Sequence, residues 1–218
     1  MNATARARAQ QICSLLLQYP EEVLVDLIPE LGQVVSTLPS ETSKPLSNFL
    51  DYLTETPLMD VQRHYVETFD MRRKCSPYLT YWTHGDTRNR GMALLHFKEA
   101  YREGGVTIDE QELPDHLAVV LEFAACNDAE LGNALLAEHR GVIGLLHQAL
   151  VDMETPYANV LAAALATTST LTPEDELLMK QLALAGPPTE SVGMAGPVDL
   201  TLAPFGVQSS DTTMGARR

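Results

Sequence analysis

The residues best suited to binding or catalysis are concentrated in one stretch, 65–91, which reads YVETFDMRRKCSPYLTYWTHGDTRNRG. The segment 60–102 carries 8 Lys and Arg against 5 Asp and Glu, a net charge of +3, whereas the other residues of the chain sum to −17. Residues 65–91 hold five aromatic residues in a chain that is only 6% aromatic. Aromatic rings and cations together on an otherwise acidic chain indicate a binding surface.

Three of these rings could form a peptide groove. Tyr78, Tyr81 and Trp82 lie between Pro77 and Gly85, where the backbone need not be a regular helix. Aromatic side chains that are apolar in the body and polar at the tip are common anchors at protein interfaces. We therefore expect them to accept the apolar face of a peptide.

The turn that follows, GDTRNRG, combines one carboxylate with two guanidinium groups. Asp86 can accept hydrogen bonds from N–H groups of its own turn or cap the next helix. Arg88 and Arg90 can each bind a carboxylate through two parallel hydrogen bonds. The same three residues could also brace a long loop between helices, and the sequence leaves both roles open.

Pro114, Asp115 and His116 form a further candidate at the predicted start of a helix. A carboxylate there complements the positive end of the helix dipole. A histidine titrates near neutral pH, so that His116 could modulate the binding of a charged partner.

A small helical enzyme is the competing interpretation of the same residues. Cys75 follows Arg72, Arg73 and Lys74, which could lower its pKa, but the sequence identifies no base to activate it. The six histidines lack the H-E-x-x-H spacing of helical zinc sites, and neither G-x-S-x-G nor G-x-x-x-x-G-K occurs. We expect no catalytic residue, no metal site and no resident cofactor.

Composition restricts the compartment and the partners. A formal net charge of −14 over 218 residues disfavours nucleic acids and anionic membranes as ligands. No apolar run approaches the roughly 18 to 20 residues that cross a bilayer, and the N-terminus does not have the pattern of a signal peptide, so we expect a cytoplasmic protein without membrane insertion. Three cysteines without a C-x-x-C pair indicate reduced thiols.

The apolar spacing predicts an all-α protein of about nine helices. Apolar residues recur at i, i+3, i+4 and i+7 in two helices near the N-terminus, and Pro29 predicts a kink or break in the second. Tyr65 and Phe69, four residues apart, are expected in the core. Thr-Pro pairs predict helix starts with Thr as the N-cap at 56–57, 155–156 and 172–173. Further helices are predicted over 88–103, 114–126 and 128–153.

The C-terminal segment has a different composition. From residue 186 onward the chain is rich in Pro, Gly, Ser and Thr and has no apolar period, which predicts a disordered tail. We therefore expect one helical-bundle domain over 1–185 and a tail over 186–218.

The motifs YVETFD, YLTYWTHGDTRNRG and LPDHLAVVLEF resemble those of the respiratory nitrate reductase assembly chaperones, the NarJ or delta-subunit family. The likeness runs in order over about residues 10–153 and does not include the tail. It implies the all-α fold of the redox-enzyme maturation chaperones, a cytoplasmic location and no covalent chemistry.

The resemblance also implies a partner, the N-terminal segment of the catalytic alpha subunit of nitrate reductase, held until the molybdenum cofactor is inserted and before membrane docking. We expect a monomer. The residues expected to line or brace the peptide groove are Tyr78, Tyr81, Trp82, Asp86, Arg88, Arg90, Pro114, Asp115 and His116. A helical-groove signalling adaptor and the helical enzyme remain as alternatives. The cations of the stretch could pair internally with Asp70 and Asp86 or meet another partner surface.

Overall fold

A computed structural model describes residues 1–107 and 113–188 of the chain. Within these residues there are eleven α-helices and no strand, which confirms the all-α prediction. The α-helices are α1 (Ala3–Leu16), α2 (Glu22–Ser36), α3 (Ser40–Glu55), α4 (Leu58–Tyr65), α5 (Tyr81–His84), α6 (Arg88–Glu103), α7 (Leu117–Cys126), α8 (Ala129–Glu138), α9 (Arg140–Asp152), α10 (Tyr157–Thr167) and α11 (Pro173–Ala185). A π-helical turn, Val66–Asp70, and a 3₁₀ turn, Arg73–Cys75, follow α4.

Helix α1 lies at the centre of the bundle, where it packs against α2, α7 and α10, and α10 in turn packs against α3 and α9. Its buried side includes two small residues, Ala9 and Cys13, beside Ile12 and Leu16. Small side chains allow neighbouring helices to approach closely, and the burial of the apolar ones stabilises the contact. The described helices thus share one continuous apolar core.

Two differences in helix number have local causes. The predicted helix over 128–153 is two helices, α8 and α9, which are interrupted at His139. Gly141 and Gly144, which follow the break, have low helix propensity and lie against α11. The short helix α5 is the other addition, and it falls in the segment where no regular helix was expected.

Several predicted helix boundaries were wrong by a few residues. Pro29 lies inside α2, which continues through it as one helix, so the break that was predicted as the alternative to a kink does not occur. Only Thr172 forms the predicted threonine cap, in a capping box with Asp175. Helices α4 and α10 are capped one position later, at the prolines that follow Thr56 and Thr155.

Helix α11 packs on α9 at the surface of the bundle. Arg140 donates to Asp175 across this contact at 2.6 Å. The described chain ends at Pro188, whose backbone carbonyl lies so close to Gly85 that a Cβ added there would be 1.8 Å from the carbonyl oxygen. The predicted tail otherwise falls at 189–218, outside the described residues.

Candidate functional site

The aromatic and basic stretch, residues 65–91, begins at the end of α4 and lies largely outside the α-helices. The π-helical turn places Phe69 in the core, where its ring lies 4.9 Å from both Tyr65 and Tyr157. Both Tyr65 and Phe69 are buried, which confirms the prediction made for them. The π-helical turn and the 3₁₀ turn that follows it bring residues 76–80 alongside the start of α7.

These residues pair with the segment before α7. The Leu79 N–H donates to the Asp115 carbonyl at 2.9 Å, and the Leu117 N–H donates to the Pro77 carbonyl at 3.0 Å. Tyr78 and His116 form an isolated antiparallel bridge. The helix predicted to begin at residue 114 begins at Leu117, because the carbonyls of Pro114 and Asp115 accept from the Tyr101 hydroxyl and the Leu79 N–H and not from a following helical turn.

Asp115 is fully buried and organises the site through one carboxylate oxygen. Its Oδ2 accepts from the Thr80 hydroxyl at 2.6 Å, from the Thr80 N–H at 3.1 Å and from Arg90 Nη2 at 3.4 Å. Arg90 Nε also donates to the Thr80 hydroxyl oxygen at 3.2 Å. Asp115 therefore ties three chain segments together.

Arg90 connects this buried group to the surface. Its Nη1 donates to Asp86 at 3.3 Å, and the Asp86 side chain is 70% exposed. The guanidinium carbon lies 5.4 Å from the ring centroid of Tyr78 and 5.9 Å from that of Tyr81, distances at which a cation is attracted to an aromatic face. One arginine thus holds the turn, the buried carboxylate and both rings in a fixed arrangement.

Both rings face a concavity of about 310 Å³, which we call the tyrosine hollow. This volume matches the lower end of ligand sites and suits a few side chains of a bound segment. The residues that line the hollow are Phe69, Asp70, Arg72, Arg73, Ser76, Tyr78, Tyr81, Asp86 and Arg90.

The structure separates the nine candidate residues into two groups. Four of them, Tyr78, Tyr81, Asp86 and Arg90, line the tyrosine hollow. Trp82 is 2% exposed and belongs to the hydrophobic core beneath it. The remaining four do not line the hollow: the exposed Arg88 begins α6, and Pro114, Asp115 and His116 lie in the paired segment that supports the rings.

The sequence did not identify Thr80, which is buried and binds both Asp115 and Arg90. No pattern around a single threonine distinguishes it from an exposed one. Ser76 and Phe69 were also missed as lining residues, since their contribution depends on the π-helical turn.

His116 is held in its neutral form. Burial lowers its pKa to about 4, although the neighbouring Asp115 acts in the opposite direction. Its Nδ1 accepts from the Ala118 N–H at 3.2 Å, which makes it the N-cap of α7. A neutral capping histidine that contacts the Tyr78 ring at 5.1 Å positions that ring.

Cys75 does not have the properties of a nucleophile. The thiol is fully buried, and burial raises its pKa, so that the thiolate is disfavoured despite the charge of Arg72. Its sulfur lies 3.3 Å from that of Met153, inside the fold. Among residues 1–107 and 113–188, no three His, Cys, Asp or Glu side chains are grouped as a metal site would require. None of the helices in this described part is both long and apolar enough to span a membrane.

Comparison with known proteins places the chain among relatives of one kind. The family model for the nitrate reductase delta subunit matches residues 36–163. The chain is 39% identical over 157 residues to a nitrate reductase-like protein, NarX, of Mycobacterium tuberculosis, which covers 72% of this chain and 24% of that protein. It therefore spans about a quarter of the length of these relatives.

Other relatives are matched over most of their length. The chain is 31% identical to the probable nitrate reductase molybdenum cofactor assembly chaperone NarJ of Bacillus subtilis, over 76% of this chain and 91% of that protein. The identity to the chaperone of the same name from Escherichia coli K12 is also 31%, over 78% and 73%. A crystal structure from Archaeoglobus fulgidus, described as a redox enzyme maturation protein, matches with a TM-score of 0.56 and 22% identity over 73% of this chain and 91% of that one, which supports the fold alone.

Proposed function

The chain belongs to the nitrate reductase delta subunit family, and on that premise we propose that it is a cytoplasmic assembly chaperone for a molybdenum-containing nitrate reductase. It acts by binding and not by catalysis, in agreement with the names of its relatives and with the buried, protonated thiol of Cys75. Its helical domain, residues 1–185, holds the immature reductase while the molybdenum cofactor is inserted, before membrane docking.

We further propose that the tyrosine hollow binds the N-terminal segment of the catalytic subunit. The observation that carries this proposal is that Tyr78 and Tyr81 line a concavity together with Arg90, whose guanidinium group packs on both rings. Ordered rings lose little further freedom when a ligand binds, so more of the contact energy appears as affinity. Trp82, Pro114, Asp115 and His116 support the rings, and the exposed Arg88 flanks the turn.

The charge of the hollow agrees with a mainly apolar ligand segment. Arg90 is already paired with Asp86 and Asp115, which leaves Asp70 and the neighbouring arginines as the remaining charged lining. An amphipathic helix would place its apolar side chains on the rings, a recognition mode that is common among helix-binding grooves. The protein is proposed to act as a monomer, since the described helices bury their shared core within one chain.

The proposal is tested by calorimetry with a synthetic peptide of the catalytic subunit's N-terminus. Tyr81→Ala should weaken binding by on the order of 2 kcal/mol, which is the usual threshold for an anchor residue. The matched control is Tyr19→Ala, because Tyr19 is 47% exposed and lines a separate concavity between α1 and α2. Equal affinities of the two folded variants would refute the assignment of the hollow, and a stronger loss with Tyr19→Ala would move the site to the second concavity.

A further inference from the structure

The cations at positions 72–74 form no ion pair within the described residues. None of Arg72, Arg73 and Lys74 lies within ion-pair distance of an acidic side chain among the described residues. All three are exposed, on the 3₁₀ turn and the residue before it. Of the two roles left open by the sequence, internal pairing with Asp70 or Asp86 does not occur for these cations.

The three residues, which we call the cationic ridge, separate two concavities. On one side lies the tyrosine hollow, to which Arg72 and Arg73 contribute. On the other side is a concavity of about 370 Å³, lined by the ridge itself and by Ala149, Asp152 and Met153 of α9 and its C-terminal end. This second concavity has three cations, one carboxylate and a floor of aliphatic and thioether groups.

Such a surface fits a carboxylate-bearing protein segment. Unpaired guanidinium groups bind carboxylates in a bidentate manner, and a local positive patch steers an acidic partner toward it. The flexible methionine side chain can adapt to apolar residues between the partner's carboxylates. Extended polyanions are disfavoured, because nucleic acid or an anionic bilayer would also meet the −14 net charge of the chain.

We propose that the cationic ridge and the concavity beside α9 bind an acidic segment of the same client, at a site that adjoins the tyrosine hollow and shares Arg72 and Arg73 with it. The inference rests on the proposed function for the identity of the client. The N-terminal segment occupies the hollow, and an acidic region elsewhere on the client's surface contacts the ridge.

The first test compares two triple variants of the full chain that change the net charge equally. Arg72→Gln/Arg73→Gln/Lys74→Gln removes the ridge, and Lys44→Gln/Lys98→Gln/Lys180→Gln removes three exposed cations elsewhere. Affinity is measured for the intact catalytic subunit and, separately, for its N-terminal peptide. We expect the ridge variant to bind the intact subunit about tenfold more weakly, which corresponds to about 1.4 kcal/mol. Because Arg72 and Arg73 also line the hollow, peptide affinity is measured on Lys74→Gln, which changes only the concavity beside α9 and should bind the peptide within about twofold of the parent.

Each other outcome has a defined meaning. Equal weakening by both triple variants would overturn the inference, because net charge alone would then explain the loss. A loss of peptide affinity with Lys74→Gln would make the ridge part of the hollow's site, and unchanged affinity of the triple ridge variant for the intact subunit would remove its role. If the parent protein binds neither probe, the proposed function fails and the inference falls with it.

A second test identifies the contact chemically. A carbodiimide joins an amine directly to a carboxylate that touches it, so Lys74 should become linked to an Asp or Glu of the intact subunit, as read by mass spectrometry. Lys74→Arg keeps the charge and should remove this link without weakening the complex. Links from Lys98 or Lys180 in place of Lys74, or retention of the parent but not the ridge variant on phosphatidylserine vesicles without any link, would overturn the inference.

Discussion

The two carboxylates bound by Arg90 offer a test of what holds the candidate site together. Asp115 is fully buried and accepts three hydrogen bonds on Oδ2, whereas Asp86 is 70% exposed and accepts one from Arg90 at 3.3 Å. Replacing either one by Asn keeps the shape of the side chain and removes its charge. Any difference between Asp115→Asn and Asp86→Asn therefore reports the environment of the carboxylate.

The magnitude follows from the contacts. A hydrogen bond to a charged group contributes about 1.5–3 kcal/mol and one between neutral groups about 0.5–1.5 kcal/mol, so each donor loses roughly 1 kcal/mol when Asp115 becomes Asn. The 3.4 Å contact from Arg90 is long and contributes less. We expect a loss of unfolding free energy of about 2–3 kcal/mol for Asp115→Asn. Asp86→Asn should lose less than about 1 kcal/mol, since exposed ion pairs stabilise little.

Trp82 provides the assay, because it is the only tryptophan in the chain and is buried directly before the turn. Urea unfolding followed by its fluorescence gives the free energy of unfolding of both variants and of the parent. Removing one partner of a buried ion pair leaves the other charge poorly solvated, which is why a large loss is expected. Equal effects of the two substitutions, or a neutral Asp115→Asn, would show that Asp115 is not the organising group.

Three further predictions concern the backbone, pH and the thiols. Gly85→Ala should lower the unfolding free energy by about 1 kcal/mol or more, because Gly85 has a φ of +57° and lies against Pro188. Gly91→Ala, in the open first turns of α6, should raise the unfolding free energy by about 0.5–1 kcal/mol, and urea unfolding measures both changes. Burial lowers the folded-state pKa of His116 to about 4, below the 6.5 of the unfolded chain, so the unfolded state binds more protons between these values and stability should fall as pH drops through this window. His116→Asn keeps an N-cap acceptor but does not titrate, so its loss of unfolding free energy between pH 7 and pH 4 should be smaller by on the order of 2–3 kcal/mol. Identical pH profiles of the parent and the variant would contradict this. Native protein at pH 8 should react with one equivalent of a disulfide reagent, at the exposed Cys126, while the other two thiols react only after unfolding; faster modification of either buried thiol would contradict the described burial.

Helix identity could be read from the sequence because it depends on local spacing. The eleven α-helices correspond to the nine predicted ones once the split at His139 and the short α5 are included. The exact starts could not be predicted: before Leu117, for example, the Pro114 and Asp115 carbonyls accept from Tyr101 and Leu79, which are distant in the chain. Tertiary contacts determine whether these backbone groups form helical hydrogen bonds or bind distant residues.

The composition of the site was only partly predictable for the same reason. The sequence indicated aromatic residues near an Asp and two Arg, and the structure places two of the three rings at the hollow. Trp82 belongs to the core, whereas Tyr81, which is itself only 8% exposed, lines the hollow. The geometry of the short helix α5, and not the residue type, determines which of the two rings lies at the hollow. Thr80 could not be recognised because its role requires Asp115, which is 35 residues away in the chain.

The pairing of Arg90 explains how one basic stretch can bind both an apolar segment and an acidic segment of a partner. Arg90 is neutralised by Asp86 and Asp115, so it contributes to the hollow mainly as a planar group behind two rings. The cations of the ridge, by contrast, have no ion-pair partner among the described residues. Raising the ionic strength from about 0.05 M to 0.5 M shortens the screening length severalfold and should weaken binding of the intact client, while binding of the N-terminal peptide changes little. If both affinities fall in parallel with salt, the two surfaces do not act separately, and the apolar description of the hollow is wrong.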